Sequence, residues 1–283
     1  MISVKAYAKI NLSLNVLNKR EDGYHDIDTI MLPLELHDRI DFDFLPQDVG
    51  TLITSSDLNL PNDESNLAIK AYRLIKEKFN IKKKFRIHIH KKIPLSAGLG
   101  GGSSDAALVI RTILQMMKIH ISNEELIELA KLVGADVPFA LFSKPARCKG
   151  IGGDLEFFQL KDKYHCLIIK PEHGVETKKA YATFDEIGDK KLTDIDSLKE
   201  GLILGNEGII INNLFNGLEE PAIKLVPEIG VIKQKIIEDG FPLTLMTGSG
   251  SSIFVLSKDY KALLKESYKF DSEKYYIQLT SIL

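Results

Sequence analysis

The beginning of the chain alternates apolar and polar side chains as β-strands do. Leu12, Leu14 and Val16 lie two positions apart with polar residues between them, which predicts a strand with one apolar face. The segment 85–90 alternates in the same way, and the apolar segment 27–44 predicts one or two further strands. The first part of the chain is therefore expected to contain a sheet.

Helices are predicted where apolar residues recur three or four positions apart. One helix is expected to begin after Ser65 and Asn66, which can cap its first turn. Another follows a glycine-rich segment at residues 98–104, and a third begins at Ser122, the first residue of a capping box. Gly134 is expected to end this third helix. Asp136 would then lie on a short loop before a proline.

The second half of the chain also mixes both kinds of element. A strand is predicted at 165–169, two helices between 218 and 238, and strands on either side of 247–252. Residues 150–153 hold three glycines and are interpreted as a boundary region. This order of elements predicts an α+β protein in two halves.

Composition narrows the functional class. The chain has 283 residues, enough for two domains, and its formal net charge of -2 does not favour nucleic acid as a partner. Two cysteines, Cys148 and Cys166, indicate a reducing compartment and disfavour a cysteine-based zinc site. No secretion pattern and no apolar run of roughly 18 residues is found in the sequence. We expect a cytoplasmic protein with no membrane partner.

The glycine-rich segment 98–104 carries the strongest local chemistry. It stands between a predicted strand and a predicted helix, and glycines at a helix N-terminus allow an anion to approach backbone N–H groups. The segment lacks the lysine of a P-loop, and Ser103 or Asp105 stands where a dinucleotide fingerprint needs its last glycine. A phosphate site and a glycine-rich turn without a ligand both remain open from this segment alone.

Three segments together resemble the GHMP kinases. Residues 94–104 resemble the second motif of that family, 8–12 the N-terminal motif and 245–252 the C-terminal motif. The resemblance implies the α+β, two-domain GHMP kinase architecture. Its ribosomal-protein-S5-like N-terminal domain would span 1–155, and its ferredoxin-like C-terminal domain would span 156–283.

Segments 22–25 and 134–139 resemble one branch of the family in particular. That branch uses ATP and Mg²⁺ to phosphorylate a small-molecule cytidine diphosphate alcohol on the route to isoprenoid precursors. The resemblance implies no nucleic-acid or membrane partner and a monomer or weak homodimer. Two alternatives remain: a relative acting on another small alcohol, such as a sugar or homoserine, and a nucleotide-sensing regulatory relative without catalysis.

The resemblance also implies roles for single residues. Asp136 would take the proton of the acceptor hydroxyl, and Lys9 would neutralise charge near it. Without the resemblance, a Lys–Asp surface pair would be the simpler interpretation. His88 and His90 share a strand face without a third ligand, so no metal site is predicted.

The remaining assignments divide between the two ligands. The resemblance implies that ATP is bound by Pro94, Leu95, Ser96, Ala97, Gly98, Leu99, Gly100, Gly101, Gly102, Ser103, Ser104, Asn66, Leu67 and Lys91. It implies that the substrate is bound by Asn11, Tyr24, His25, Tyr181, Thr247, Gly248 and Ser249.

Overall fold

The first two strands, β1 (Ile2–Lys19) and β2 (His25–Leu45), are the longest in the chain. The computed structural model describes residues 1–188 and 191–283 and divides into two compact units, each built from separate stretches and each containing part of β1 and part of β2. The first unit consists of 1–8, 36–95 and 100–143, and the second of 9–35, 96–99 and 144–283. The α+β class is confirmed, whereas the boundary between residues 155 and 156 stays a prediction.

In the first unit, helices cover the strands β3 (Leu52–Ser55), β4 (Lys84–His90), β2 and β1, which are neighbours in this order. Strand β4 is antiparallel to β2 and parallel to β3. The predicted inward residues of β4 are confirmed, because Phe85, Ile87 and Ile89 are fully buried. The helices are α1 (Leu67–Lys78), α2 (Gly101–Met116), α3 (Asn123–Val133) and α4 (Val137–Phe142).

Side chains that were predicted to begin helices do so. Oδ1 of Asn66 accepts a 3.0 Å hydrogen bond from the N–H of Ala68 at the start of α1. Oγ of Ser122 accepts a 3.1 Å hydrogen bond from the N–H of Glu125 at the start of α3. Each cap satisfies a backbone donor that the helix itself leaves without a partner. Gly134 follows α3 as its C-cap, also as predicted.

The segment after Gly134 differs from the prediction of a short loop. Asp136 is the N-cap residue of the short helix α4. Pro138 lies in the first turn of that helix, where its missing N–H breaks no intrahelical hydrogen bond. A proline therefore marks the beginning of a helix here.

The second unit begins with the remaining parts of β1 and β2. The strand β5 (Ala146–Gly150) is antiparallel to β2 and to β6 (Asp154–Phe157), and β8 (Phe215–Asn216) is parallel to β1. Residues 151–153 form the turn between β5 and β6. The three glycines at 150–153 therefore belong to a hairpin, because such a tight connection needs residues that accept unusual backbone angles.

A second sheet, of four antiparallel strands, completes this unit. Its order is β11 (Tyr275–Ser281), β7 (His165–Pro171), β10 (Ile253–Ser257) and β9 (Thr244–Met246). Helices precede β9 and β11, which gives the β-α-β-β-α-β sequence of a ferredoxin-like fold. The helices are α5 (Thr177–Ile187), α6 (Ile195–Leu204), α7 (Glu207–Asn213), α8 (Glu219–Leu225), α9 (Glu228–Glu238) and α10 (Tyr260–Ser267).

Both faces of the central part of β1 are buried, although its pattern predicted only one apolar face. Oγ of Ser13 accepts a 3.1 Å hydrogen bond from the N–H of Ile30. The side-chain amide of Asn15 pairs with the backbone N–H and C=O of Thr193, at 2.9 Å each. Polar side chains on β1 are thus buried at low cost because each has a partner. In the parts of the chain that the structure describes, no helix combines the length and apolar character of a membrane span.

Candidate active site

The first part of the glycine loop, residues 96–99, packs against the C-terminal loop within the second unit. Oγ1 of Thr247 donates a 3.3 Å hydrogen bond to the carbonyl oxygen of Gly98. The N–H of Ser252 donates one of 3.3 Å to the carbonyl oxygen of Ala97. Gly98 has φ +72°, and a Cβ atom there would lie 2.1 Å from the carbonyl oxygen of Thr247. Two predicted motifs far apart in sequence are therefore in direct contact.

The second part of the glycine loop forms the N-terminus of α2. Gly100 is the N-cap residue of the helix, with φ +70°, and as a glycine it has no side chain with which to cap it. A Cβ atom on Gly101 would lie 2.9 Å from the side chain of Ile93, so the backbone can run this close only without one. Oγ of Ser104 donates a 2.5 Å hydrogen bond to the carbonyl oxygen of Tyr7. The first N–H groups of α2 are suited to an anion.

A chain of buried hydrogen bonds fixes Lys9. Its Nζ donates a 2.7 Å hydrogen bond to Oδ1 of Asn11, whose Nδ2 donates one of 2.9 Å to Oγ1 of Thr29. Thr29 in turn donates to the carbonyl oxygen of Ser13. The backbone N–H of Asn11 donates a 3.0 Å hydrogen bond to Oγ1 of Thr247. The side-chain amide of Asn11 therefore binds Lys9 through Oδ1 and Thr29 through Nδ2. A contact between Asn11 and the substrate stays a prediction.

The imidazole of His25 lies against α5. The ring of Tyr181 stacks on it, with centroids 5.0 Å apart and planes 23° apart, and the ring of Phe184 meets it edge-on at 6.1 Å. Oδ1 of Asp185 lies 2.7 Å from Nε2 of His25. Tyr24, the residue before His25, is 59% exposed. The structure thus brings together His25 and Tyr181, two of the residues that the resemblance assigned to the substrate.

Phe184 and Asp185 were missed in the sequence, although their spacing was visible. Residues three and four positions beyond Tyr181 lie on the same face of a helix. Once Tyr181 is placed on a helix facing His25, that spacing identifies both neighbours. The spacing alone does not show that this helix faces His25, so the sequence did not reveal the two residues.

The C-terminal loop is held in place by a residue that the sequence did not reveal. Nδ2 of Asn216 donates 2.8 Å hydrogen bonds to the carbonyl oxygens of Met246 and Gly248. Oγ of Ser249 lies 2.9 Å from Oγ1 of Thr177, the first residue of α5. Asn216 is buried in β8. Its partners Met246 and Gly248 lie 30 and 32 positions further along the chain, so only the fold reveals these hydrogen bonds.

Lys91 belongs to a buried cluster of charges. Its ammonium donates a 2.8 Å hydrogen bond to Asp105 and another to Asp38. Asp38 also accepts a 2.9 Å hydrogen bond from the N–H of Ile93. Burial raises the pKa of Asp105 to about 7, against the opposing effect of the Lys91 charge. Burial alone would lower the pKa of Lys91, but Asp105 and Asp38 raise it.

The cluster lies beside the glycine loop, since a Cβ atom on Gly101 would be 3.3 Å from Nζ of Lys91. The contacts of Lys91 support the loop from within the first unit. An interaction between Lys91 and adenine stays a prediction.

Of two further residues assigned to ATP, Leu67 lies next to the same loop. A Cβ atom on Gly102 would be 3.9 Å from the side chain of Leu67, and one on Gly134 would be 3.5 Å from it. Asn66 caps α1 with its side-chain oxygen Oδ1, and its Nδ2 donates a 3.0 Å hydrogen bond to the backbone carbonyl oxygen of Pro61. The structure therefore groups Leu67 with the loop, while the adenine contacts of Asn66 and Leu67 stay predictions.

Asp136 belongs to the first unit and Lys9 to the second. Asp136 is half-buried, and its carbonyl oxygen accepts the hydrogen bond from the N–H of Ala140 that closes the first turn of α4. Its position at the start of this helix fixes its backbone. Its pairing with Lys9 in catalysis stays a prediction.

The sequence of the chain is similar to those of known kinases. Residues 66–144 match the family model described as the GHMP kinases N terminal domain. A 4-diphosphocytidyl-2-C-methyl-D-erythritol kinase of Caldicellulosiruptor saccharolyticus is 41% identical over 261 residues, 92% of this chain and 90% of the relative. The kinase of the same name from Clostridium acetobutylicum is 37% identical over 272 residues, 96% of each chain. The chain belongs to the 4-diphosphocytidyl-2-C-methyl-D-erythritol kinase family.

Solved structures agree with membership in this kinase family. A crystal structure of 4-(cytidine 5'-diphospho)-2C-methyl-D-erythritol kinase matches all of this chain and all of its own, with a TM-score of 0.80 and 30% identity. The L. major mevalonate kinase matches all of this chain and 96% of its own, with a TM-score of 0.76 at 13% identity. The second likeness shows a shared fold only, and together they confirm the expected GHMP kinase architecture.

Proposed function

We propose that the protein transfers the γ-phosphoryl group of ATP to the 2-hydroxyl of 4-diphosphocytidyl-2-C-methyl-D-erythritol, in the synthesis of isoprenoid precursors. The products are ADP and the 2-phosphate of the alcohol, and one proton leaves the hydroxyl. Near-full-length similarity to kinases of this name, at 36–41% identity, carries the proposal. The three motifs of the sequence and their contacts in the fold support it independently.

The glycine loop is proposed to hold the triphosphate of ATP. The N-terminus of α2, whose N-cap residue is a glycine, supplies backbone N–H groups and a partial positive charge. Gly101 allows the backbone at this terminus to run close to the side chain of Ile93. Phosphoryl transfer depends chiefly on positioning and on charge stabilisation.

Mg²⁺ is proposed to accompany the nucleotide and to neutralise part of the phosphate charge. Ser103 fits this ion, because it lies half-buried in the first turn of α2 and a hydroxyl oxygen is a hard ligand. No group of three or more His, Cys, Asp or Glu side chains suited to a metal occurs among residues 1–188 and 191–283. Mg²⁺ bound with a nucleotide takes most of its ligands from phosphates and water, so Ser103 would be enough to anchor it.

Asp136 and Lys9 are proposed to act on the acceptor hydroxyl. A carboxylate can accept the hydroxyl proton as the new bond to phosphorus forms. The ammonium of Lys9 would stabilise the developing negative charge, and its hydrogen bond to Asn11 limits its movement. Such a role requires a fixed lysine, which the buried chain through Asn11 and Thr29 provides.

The cytidine group is proposed to contact Tyr24, His25 and Tyr181. The exposed ring of Tyr24 can stack on a base, and the fixed ring of His25 can form hydrogen bonds with its edge. A cytoplasmic monomer or weak homodimer without a nucleic-acid partner is the proposed state of the protein. The net charge of -2 disfavours a nucleic-acid partner, and the two buried cysteine thiols fit a reducing compartment.

Release of ADP with a panel of alcohols tests the proposed function. The panel consists of 4-diphosphocytidyl-2-C-methyl-D-erythritol, the same polyol without its cytidine diphosphate group, homoserine, mevalonate and galactose. We expect kcat/KM for the cytidine-containing alcohol to exceed the others by at least about a hundredfold, the scale of several lost binding contacts. Equal or faster turnover of homoserine or galactose would contradict the proposal, as would no ADP release with any member of the panel.

A further inference from the structure

Lys170 places a buried ammonium at the end of β7. The residue is 8% exposed, and its Nζ donates hydrogen bonds to the backbone carbonyl oxygens of Pro171, at 2.9 Å, and Glu172, at 3.2 Å. Burial lowers the pKa of Lys170, and the charge of Glu172 opposes this effect. A methionine of similar length could be buried at lower cost, because it carries no charge to remove from water. The ammonium is therefore better explained by the backbone that it holds than by a gain in stability.

The segment between β7 and α5, residues 171–177, contacts two loops of the candidate site. It meets the glycine loop at Gly174, where a Cβ atom would lie 2.9 Å from both the Cβ atom and the carbonyl oxygen of Ser96. It meets the C-terminal loop at Thr177, whose Oγ1 lies 2.9 Å from Oγ of Ser249. All of these residues belong to the second unit. The position of this connecting segment therefore affects both loops.

The part of the connecting segment that carries Gly174 has little packing around it. Residues 172–174 are exposed, and the segment borders a cavity of about 420 Å³ that also borders the junction of α8 and α9. Val175 is buried in the apolar core of the second unit. The exposed stretch is thus tied to the fold by Lys170 on one side and by Val175 on the other.

We propose that Lys170 is a positioning residue for the donor nucleotide, because it fixes the connecting segment on which the glycine loop packs. The inference rests on the proposed function, in which this loop binds the triphosphate of ATP. Ser96 has φ +49°, a conformation that residues other than glycine hold only where their surroundings fix it. Gly174 supplies part of these surroundings. Loss of the ammonium should therefore loosen the glycine loop at Ser96.

Equilibrium titration of a Lys170→Met variant with ATP tests the inference. Methionine keeps the length of the side chain and removes both hydrogen bonds to the connecting segment. We expect the dissociation constant of ATP to rise by about tenfold, the scale of one hydrogen bond to a charged group. Lys274→Met is the matched control, because it removes the same charge from a side chain that is 74% exposed, next to the strand that pairs with β7. Its affinity for ATP should stay within about twofold of the wild-type value.

Gly174→Ala acts on the same contact without touching Lys170. The added Cβ atom would lie 2.9 Å from Ser96, so the glycine loop must shift, and the affinity for ATP should again fall by about tenfold. Gly230→Ala is its control, since the nearest atom to a Cβ there is 3.5 Å away. Because both changes disturb one contact, the double variant should lose less affinity than the product of the two single losses.

Melting curves separate positioning from a role in stability alone. If Lys170→Met lowers the melting temperature but binds ATP as the wild-type protein does, Lys170 only stabilises the second unit and the inference is overturned. Single losses that multiply in the double variant would overturn it as well. Should Lys170→Met fail to fold, Lys170→Gln takes its place, because its amide can still donate one hydrogen bond; it should bind ATP more weakly than the wild-type protein, and equal affinity would overturn the inference.

The titration also distinguishes this inference from the proposed function, because it requires no alcohol. If the wild-type protein binds ATP but phosphorylates no alcohol of the panel, the proposed function fails, and the variants still decide the role of Lys170. If the wild-type protein binds no ATP, both are overturned.

Discussion

Nζ of Lys9 donates a 2.7 Å hydrogen bond to Oδ1 of Asn11, two residues further along β1. The two side chains lie on the same face of the strand because side chains alternate along it. Both are buried, and Nδ2 of Asn11 is bound to Thr29. The position of the proposed catalytic lysine therefore depends on a threonine that the sequence did not suggest.

Replacing Thr29 with valine should weaken this support. Valine is similar in shape but has no hydroxyl, so Nδ2 of Asn11 would be left buried without its acceptor. We expect kcat to fall by about tenfold while KM for ATP changes little, because one buried hydrogen bond contributes on that scale. Steady-state ADP release measures both constants. Thr29→Ser keeps the hydroxyl and should restore most of the activity; equal losses in the two variants would mean that packing, not the hydrogen bond, is responsible.

Local features of the structure were predictable, and long-range ones were not. The inward face of β4 and the helix cap at Ser122 follow from residues within a few positions of one another. The cluster of Lys91, Asp38 and Asp105 depends on a contact across 53 positions, which no local pattern contains. The same reason explains why the three family motifs could be located in the sequence, whereas residues that hold them, such as Thr29 and Asn216, could not.

The glycine at position 98 should be irreplaceable. An alanine there would adopt an unfavourable positive φ and place its Cβ atom 2.1 Å from a backbone oxygen of Thr247. We expect Gly98→Ala to weaken ATP binding at least about tenfold, because the contact between the two loops must open. Gly240→Ala is the control, since it has the same sign of φ but nothing within 4 Å. Isothermal titration with ATP compares the two, and equal affinities would contradict this role of Gly98.

The buried carboxyl of Asp105 should make stability depend on pH. Its pKa is about 7 in the folded protein and 3.8 as a reference value, so the folded state holds its proton more tightly. This contribution is complete below pH 4 and is lost as the pH rises through about 7. The free energy of unfolding should therefore fall over that window in the wild-type protein, and less so in Asp105→Asn. Urea denaturation at pH 4, 5.5, 7 and 8 measures it.

Asp63→Asn is the control for this experiment. Hydrogen bonds from Ser65 lower the pKa of Asp63, so its contribution is present above the reference value of 3.8 and lost only as the pH falls below it. The slope between pH 4 and pH 8 should thus match that of the wild-type protein. If Asp105→Asn also kept the wild-type slope, the proton would not be held by Asp105.

Asp136→Asn should separate catalysis from binding. The amide has nearly the same shape and cannot accept the hydroxyl proton as a carboxylate does. Turnover is expected to fall by about a hundredfold or more, the usual contribution of general base catalysis, while the affinity for ATP stays within about twofold. Single-turnover ADP release and equilibrium titration measure the two quantities. Turnover near that of the wild-type protein would remove Asp136 from the mechanism.

The product of the reaction tests the central claim most directly. The purified protein is incubated with ATP, Mg²⁺ and 4-diphosphocytidyl-2-C-methyl-D-erythritol, and the new phosphate is examined by phosphorus NMR coupled to protons. The carbon at position 2 bears a methyl group and no hydrogen, so a 2-phosphate gives a signal without three-bond coupling to a proton. That single uncoupled monoester signal is the result we predict. A signal split by protons, which places the phosphate on another carbon, or the absence of any new phosphate signal would contradict the account.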